Sequence, residues 1–548
     1  MAITLTSLPN ELLLRIYKHI DHTDLYSQSK TCRTLHFVTL HVLFQRHWNG
    51  FPSQKLELDL DGPPSRSLLR GLQSALSLYD DIRYISVVFS TNVYTLYTQI
   101  LTLTALVQRL KSLENLQLYL GRLQPWYSVQ DPWKNPVIGF EQMIVALQGL
   151  MDTAFAKGCT DLIVSSGCSL ESVRRGGIRG QLAGGIHGLV RQLGDMFTKT
   201  ETGRPNLIWR GLTSIPGFGS KGGIVSSCRS VCIMADLLIH PASLDWTLRF
   251  LNHSHLTTLV IRWSGFSWEA LRDILPRIYI PRLESFSFSG WKATPPDLVL
   301  FSQAHSRTIT SISISIAYAS SDGVRWHSGR GAKVHLDLPK LRYIKLSSAY
   351  LPWFFGAVWS NPRRAALRTL PNLSHVTIIG RTWHSNELPD LEPVIKSIVQ
   401  LFRSGAGTAR SRPDDWFSDL TFDLTDMNSA CFVDWCRSYS ESQFSRSNHT
   451  SVLSLVKNLN VTNFRIPHRF KNVEDNLFGV LPRFCAIFPN LRVFNLSQIE
   501  VESMKRRAVD KRYWQGFHEG CPTLEVVKFN DEVEMKMVDL VKGYTPSF

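Results

Sequence analysis

One phrase recurs along this chain and constrains its fold more than any other feature. It reads PRLESFSF from Pro281, PKLRYIKL from Pro339, PNLSHVTI from Pro371, PNLRVFNL from Pro489 and PTLEVVKF from Pro522. Each copy is Pro-x-Leu-x-x-Φ-x-Φ, with Φ apolar. Among 26 prolines, chance gives roughly one such match or fewer, so five copies are a repeat signal. The apolar positions alternate, as a strand with one buried face requires. A proline ahead of the strand removes no ladder hydrogen bond. The phrase predicts one strand per repeat, with alternate side chains pointing into a shared core.

Weaker copies lack the proline. They are IRYISVVF at 82, LENLQLYL at 113, TDLIVSS at 160, RSVCIMA at 229, LTTLVIRW at 256, TITSISIS at 308, SDLTFDLT at 418 and VKNLNVTN at 456. From Leu259 through Phe286, Ile312 and Ile344 to Val376 the steps are 27, 26, 32 and 32 residues, and later steps are longer. The long gap between Leu162 and Val231 leaves room for a degraded repeat near Leu207. Helix signals lie between strands: TPPDLVLFSQAHS with Thr294 as cap and Pro295 in the first turn, SWEALRDIL at 267, and DLEPVIKSIVQLF at 390. The pattern resembles the strand segment of leucine-rich repeats, at or above the ~20–29-residue period of that class. The asparagine or cysteine ladder position of that class is mostly missing, so a globular α/β domain with apolar strands is the alternative.

At 548 residues the chain exceeds one compact core of ordinary size. Its net charge is +15, which favours acidic partners but does not fix the fold. Nine cysteines without regular spacing argue against a secreted disulfide framework. The start, MAITLTSLPNEL, lacks a basic, apolar leader, and no window reaches the ~18 apolar residues of a membrane helix. A soluble protein of the cytoplasm or nucleus is expected.

The N-terminus reads LPNELLLRIYKHI from Leu8. Ser7 is a candidate helix cap, with Pro9 in the first turn. Leu12, Leu13, Ile16 and Ile20 recur at helical spacing. Leu25, Cys32, Leu35, Leu43 and Phe44 mark the following helices. So few residues cannot bury this apolar surface alone; the rest of the chain or another protein must cover it. The stretch from about residue 6 to 48 resembles the F-box motif: Leu8-Pro9-x-Glu11-Leu12, then Ile16 and Ile20, Asp24-Leu25, Cys32-Arg33-x-Leu35, and the closing pair Leu43-Phe44. The resemblance implies binding to the Skp-family adaptor of an SCF-type cullin–RING ubiquitin ligase. Carried over, the adaptor contacts are Leu8, Pro9, Leu12, Ile16, Ile20, Leu25, Cys32 and Leu35, some of which also form the small internal core. Gln28 and Thr31 stand where the family usually has apolar residues, which lowers the expected affinity.

The expected architecture is therefore α/β. A three-helix F-box occupies residues 1–50, and an irregular leucine-rich-repeat-like parallel-strand solenoid occupies 51–548. The expected role is a non-catalytic substrate receptor: the F-box docks on the adaptor, and through it the cullin and RING subunits, while the array holds a target protein. The alternatives are a scaffold with no ligase role and a basic repeat protein that binds nucleic acid.

Candidate chemistry elsewhere is weak. RRGGIRGQLAGGIHG at 174 and GFGSKGG at 217 fit neither a dinucleotide fingerprint nor a phosphate-binding loop. Cys228 with Cys232, and Cys431 with Cys436, lack the histidine pair of a zinc site. His253 and His255 read as surface residues of a repeat turn. KRRAVDKR at 505 reads as the solvated face of a helix closing near Gly520, and RSGAGTARSRPDD at 403 as an insertion. No cofactor or metal is expected. In a leucine-rich array the strand residues between the inward positions face the concave side. There Arg262, Tyr343, Lys345, His375 and Lys528 are the candidate target contacts, and Trp263, Trp291 and Trp383 are candidates for its rim. Their charge suggests an acidic or phosphorylated target.

Overall fold

In the computed structural model of the chain the described residues are 5, 8–48, 54–61, 65–75, 82–90, 93–120, 140–166, 227–239, 241–262, 274–290, 295–316, 338–347, 372–381, 419–426, 433–434, 436–438, 441, 456–462, 471–496, 510–529 and 533–542. Two compact units are present, 1–265 with 278–282, and 266–277 with 283–548.

The first unit opens with helices α1 (Asn10–Tyr17), α2 (His22–Gln28) and α3 (Arg33–Trp48). Then follow β1 (Lys55–Asp59), α4 (Ser65–Ala75), β2 (Tyr84–Val88), α5 (Val93–Arg109), β3 (Asn115–Leu120), α6 (Phe140–Ala156), β4 (Asp161–Ser166), β5 (Ser230–Met234), α7 (Pro241–His253) and β6 (Thr258–Arg262). The six strands pair in parallel, each with its neighbour in the chain. Leu56, Ile85, Leu116, Leu162, Val231 and Leu259 align across the ladder, and all are buried. That row is the core position read from the repeat pattern. Strands β4 and β5 pair directly, with Leu162 beside Val231, so the long sequence gap inserts no strand between them. Residue 207 itself lies outside the described residues.

The second unit contains β7 (Ser285–Gly290), α8 (Pro295–Ala304), β8 (Ser311–Ile316), β9 (Tyr343–Ser347), β10 (His375–Arg381), β11 (Asp419–Asp426), β12 (Asn458–Thr462), α9 (Lys471–Ala486), β13 (Val493–Leu496), α10 (Lys511–Gly520), β14 (Val526–Phe529), β15 (Val533–Lys536) and α11 (Met537–Lys542). Strands β7 to β14 are parallel and in chain order. Phe286, Ile312, Ile344, Val376, Leu420, Leu459, Phe494 and Val527 fall in one buried row. Strand β15 instead turns back antiparallel to β14. The architecture is thus α/β, three N-terminal helices followed by parallel strands in an open, solenoid-like order.

The proline phrase has a local reason. Pro281, Pro339 and Pro489 sit in turns just ahead of their strands. The Asn372 amide donates to the Pro339 carbonyl at 2.6 Å, and the Thr523 hydroxyl to the Pro489 carbonyl at 3.0 Å. In these two repeats the polar residue after proline is thus tied to the turn of an earlier repeat. On the inward side, aromatic rings fill the space between sheet and helices: Phe286 lies 4.5 Å from Phe301 of α8, and Phe494 6.3 Å from Phe517 of α10. Helix α8 starts at Pro295, as its sequence signal requires. Helix α10 ends at Gly520 as expected and is capped by Asp510, which accepts from the Tyr513 amide at 3.1 Å. Among the expected segments, SWEALRDIL before Ile274, DLEPVIKSIVQLF, both glycine-rich stretches, the insertion at 403 and residues 505–509 lie outside the described residues.

Helix α4 joins the N-terminal helices to the first repeat. A Cβ on Gly71 would stand 2.9 Å from Leu43 Cδ2 and 3.3 Å from Leu40 Cδ2. Glycine is thus what lets α4 approach α3 this closely. Leu43 and Phe44, the closing apolar pair, are fully buried here. No helix among the described residues is long and apolar enough to cross a membrane.

Candidate functional site

Two surfaces stand out, one on the N-terminal helices and one on the strands of the second unit. The first grows from two neighbouring stripes on α1. Leu13 and Tyr17, four residues apart, point inward and pack with Leu25, Leu35, Val38 and Val42. Leu12 and Ile16, one position earlier, form a second stripe that is 44% and 42% exposed. Helix α1 begins one residue after Pro9, so Pro9 occupies the cap position rather than the first turn, and its carbonyl accepts from the Leu12 and Leu13 amides. Ser7 lies outside the described residues. At the other end of α1 the Arg46 guanidinium donates to the carbonyls of Tyr17 (2.9 Å) and Lys18 (2.7 Å), holding the helix C-terminus on α3. Asp21 caps α2 by accepting from the Asp24 amide at 2.8 Å.

The eight residues that the sequence grouped together therefore divide. Leu25 and Leu35 belong to the core. Leu8 and Ile20 are half-buried against it. Pro9, Leu12, Ile16 and Cys32 face outward. Phe37, 41% exposed on α3, is a further outward apolar side chain that the motif did not point to. Tyr17 was missed as a core residue because its hydroxyl makes it read as amphipathic. Burial pushes its pKa up.

The second surface is the face of the strands turned away from the helices. On β9 to β12 its side chains form three polar groups that cross between strands. The Tyr343 hydroxyl meets Thr377 Oγ1 at 3.1 Å. Lys345 reaches over β10 to pair with Asp423, whose side chain is 3% exposed against 30% for the lysine. His375 Nε2 lies 3.6 Å from Asp419 Oδ2, and the Asn458 amide donates to Asp419 at 2.6 Å. Tyr343, Lys345 and His375 are thus brought together on adjacent strands. Lys528 stands four strands beyond β10, on β14, paired with Glu534 of β15 at 2.8 Å. Arg262 belongs to the other unit, at the end of β6. Trp263, Trp291 and Trp383 lie outside the described residues. Asp419, Thr421 and Asp423 were overlooked in the sequence, although the alternation of DLTFDLTD places all three on this face.

The pairing changes the electrostatic picture. Among the described residues of this face in the second unit, Lys345, Lys528 and Lys536 stand against Asp419, Asp423 and Glu534. Among those residues the strand face is balanced in charge and shows none of the chain's net excess of +15. His253 and His255 are exposed, as expected. Among the described residues no three His, Cys, Asp or Glu side chains gather as a metal ion requires. Cys159 and Cys228 are buried just ahead of β4 and β5, and burial pushes the Cys159 thiol up to about 12 and the Cys228 thiol up as well. Such thiols are inert as ligands or nucleophiles.

No curated protein matches the chain. Residues 5–48 match the F-box-like family model, the segment that folds as α1 to α3. The chain thus carries an F-box-like domain at its N-terminus, a type of module that is typically non-catalytic and binds a Skp-type adaptor.

Proposed function

We propose that this chain is a substrate receptor of an SCF-type ubiquitin ligase, divided functionally near residue 50. The observation that carries the reading is the exposed apolar stripe of Leu12 and Ile16 inside the F-box-like segment. What singles out this pair is its place: two apolar side chains one helical turn apart within the segment that matches the F-box-like model offer a surface for another protein. Pro9, Leu12, Ile16 and Cys32 make the direct contacts with a Skp-family adaptor. Leu8, Ile20, Leu25 and Leu35 support them from behind. Cullin and RING subunits join through the adaptor, and the chain itself has no catalytic part. The strands hold a target, so that transfer of ubiquitin to its lysines becomes effectively intramolecular.

For the target site we propose the outward face of β9 to β12 in the second unit, with Tyr343, Lys345 and His375, extended along the same sheet by Lys528; Arg262, in the other unit, is a separate candidate contact. The acidic or phosphorylated target expected from sequence must open an ion pair to bind here. The exposed Lys528–Glu534 pair is weaker than the buried Lys345–Asp423 pair and opens first. The balanced charge favours a second reading of the target, a neutral segment held by hydrogen bonds to the tyrosine, threonine and asparagine side chains.

Co-purification tests the proposal. The full chain should bring down a Skp-family adaptor together with cullin. Adaptor without cullin would make the chain a scaffold with no ligase role. Nucleic acid retained near 150 mM salt, with no adaptor, would support the basic-repeat alternative instead.

A further inference from the structure

In the second unit the strand face is balanced in charge, but the edge where the strands begin is not. Among the described residues of the turns that lead into β8, β9, β10, β12 and β13 there are five cations, Arg307, Lys340, Arg342, Lys457 and Arg492, and no carboxylate. Arg307, Lys340 and Arg342 are exposed and form no ion pair among the described residues. Arg492 meets Glu525 at 3.9 Å, with both side chains more than half exposed.

The backbone sets these turns side by side. The Thr310 carbonyl accepts from the Arg342 and Tyr343 amides at 2.8 and 3.1 Å, and the Arg342 carbonyl accepts from the Ser374 and His375 amides, each at 3.0 Å. The Lys457 carbonyl does the same for the Arg492 and Val493 amides. In these repeats the residue ahead of a strand therefore stands beside its counterpart in the next repeat, at the strand spacing of about 4.8 Å. From β8 to β13 the edge covers five spacings, about 24 Å, the reach of roughly seven extended residues. Glu284 ahead of β7 and Glu525 ahead of β14 close it at either end. The edge is continuous with the proposed target face: the Ser374 hydroxyl lies 3.2 Å from the Arg342 carbonyl and 2.7 Å from His375 Nδ1.

We propose that this edge holds a run of aspartate or glutamate side chains in the target, while the adjoining strand face takes the neutral residues next to that run. The inference rests on the reading of the second unit as the target-binding part. It locates the acidic contact where no buried ion pair has to open: Arg307, Lys340 and Arg342 have no carboxylate to give up, unlike Lys345 and Lys528. Cations spread over five strand spacings match charges spread along a peptide. A single phosphate would instead need several donors converging on one point. Nucleic acid is disfavoured because a longer polyanion must pass the carboxylates of Glu284 or Glu525.

The test titrates the full chain with a fluorescent peptide, a serine–glycine stretch followed by about six glutamates, and reads anisotropy at about 0.1 M salt. The same peptide with glutamines in place of the glutamates should bind about tenfold more weakly. Arg307→Gln, Lys340→Gln and Arg342→Gln together should weaken the glutamate peptide by about tenfold. These side chains are exposed and the turns are held by backbone bonds, so the variant keeps its fold. Arg307→Lys with Arg342→Lys should retain most of the affinity, and Lys528→Gln on the strand face should leave it within about twofold. Equal binding of the two peptides overturns the inference, as does a loss caused by Lys528→Gln and not by the triple variant. Displacement of the peptide by polyuridylate at equal charge overturns it in favour of a nucleic-acid site. Adaptor binding is measured on the same chains. An intact chain that binds no adaptor overturns the receptor role while the peptide still decides the edge, and one that binds adaptor but not the glutamate peptide keeps that role and overturns this inference.

Discussion

Truncating the two exposed side chains of α1 should separate binding from folding. Fully burying a leucine or isoleucine is worth roughly 2 kcal/mol. Leu12 and Ile16 have 44% and 42% of their surface still in water. Covering that remainder gains about 1 kcal/mol each, so Leu12→Ala with Ile16→Ala should weaken adaptor binding by about 2 kcal/mol, roughly thirtyfold. The same pair should change stability by only about 0.5 kcal/mol per site. Leu25→Ala is the mirror case. Leu25 is 0% exposed, and its truncation should cost about 2–5 kcal/mol of stability. Calorimetric titration with the adaptor and urea unfolding measure the two quantities. Unchanged adaptor affinity in the folded double variant would refute the assignment of this stripe to the interface. So would a Leu25→Ala chain of normal stability that no longer binds.

Other perturbations test the array. Lys345→Met takes the counter-ion from the buried Asp423 carboxylate and should cost about 3 kcal/mol, while Asp423→Asn leaves a lysine able to turn toward solvent and should cost less; urea midpoints compare the two. Gly71→Val forces a side chain against Leu43 and should destabilise the chain by about 1–3 kcal/mol, read from thermal unfolding. Burial lowers the pKa of His305 from its usual value, an effect only partly offset by its hydrogen bond to the Phe301 carbonyl. The neutral ring is therefore favoured in the folded state, and its contribution, present above pH ~6.5, is lost as pH falls through the lowered folded value. His305→Gln should flatten the acid limb of a stability–pH curve.

The buried rows were legible in the sequence because a strand with one covered face must alternate, and Phe286, Ile344, Val376 and Phe494 do so behind a proline. Strand β1 was missed because KLELD carries only two apolar residues, Leu56 and Leu58, with no proline or leucine lead. Strand β15 was missed because it belongs to a hairpin rather than to the repeat. The N-terminal face was legible as a motif but not as a division of labour. Leu12 and Leu13 are chemically identical, and only their positions around the helix send one to water and one to the core. The charge of the strand face was misjudged for a related reason. Lys345 was visible in its own repeat, whereas Asp423, its partner, comes 78 residues later. Sequence spacing gives no direct sign of a pair made across two strands, and the cation alone suggested a free positive surface. Charge reversal at Lys345 is accordingly a poor probe of target binding; His375, 55% exposed, is a cleaner one.

The most direct test of the account is contact itself. A photo-crosslinking residue placed at position 12 should capture the Skp-family adaptor when the two proteins are mixed, whereas one at position 101, an exposed leucine on α5, should not. Capture at position 12 alone is the predicted result. A stable complex with no crosslink from position 12, or equal capture from position 101, would contradict the claim that the N-terminal helices present the adaptor-binding face.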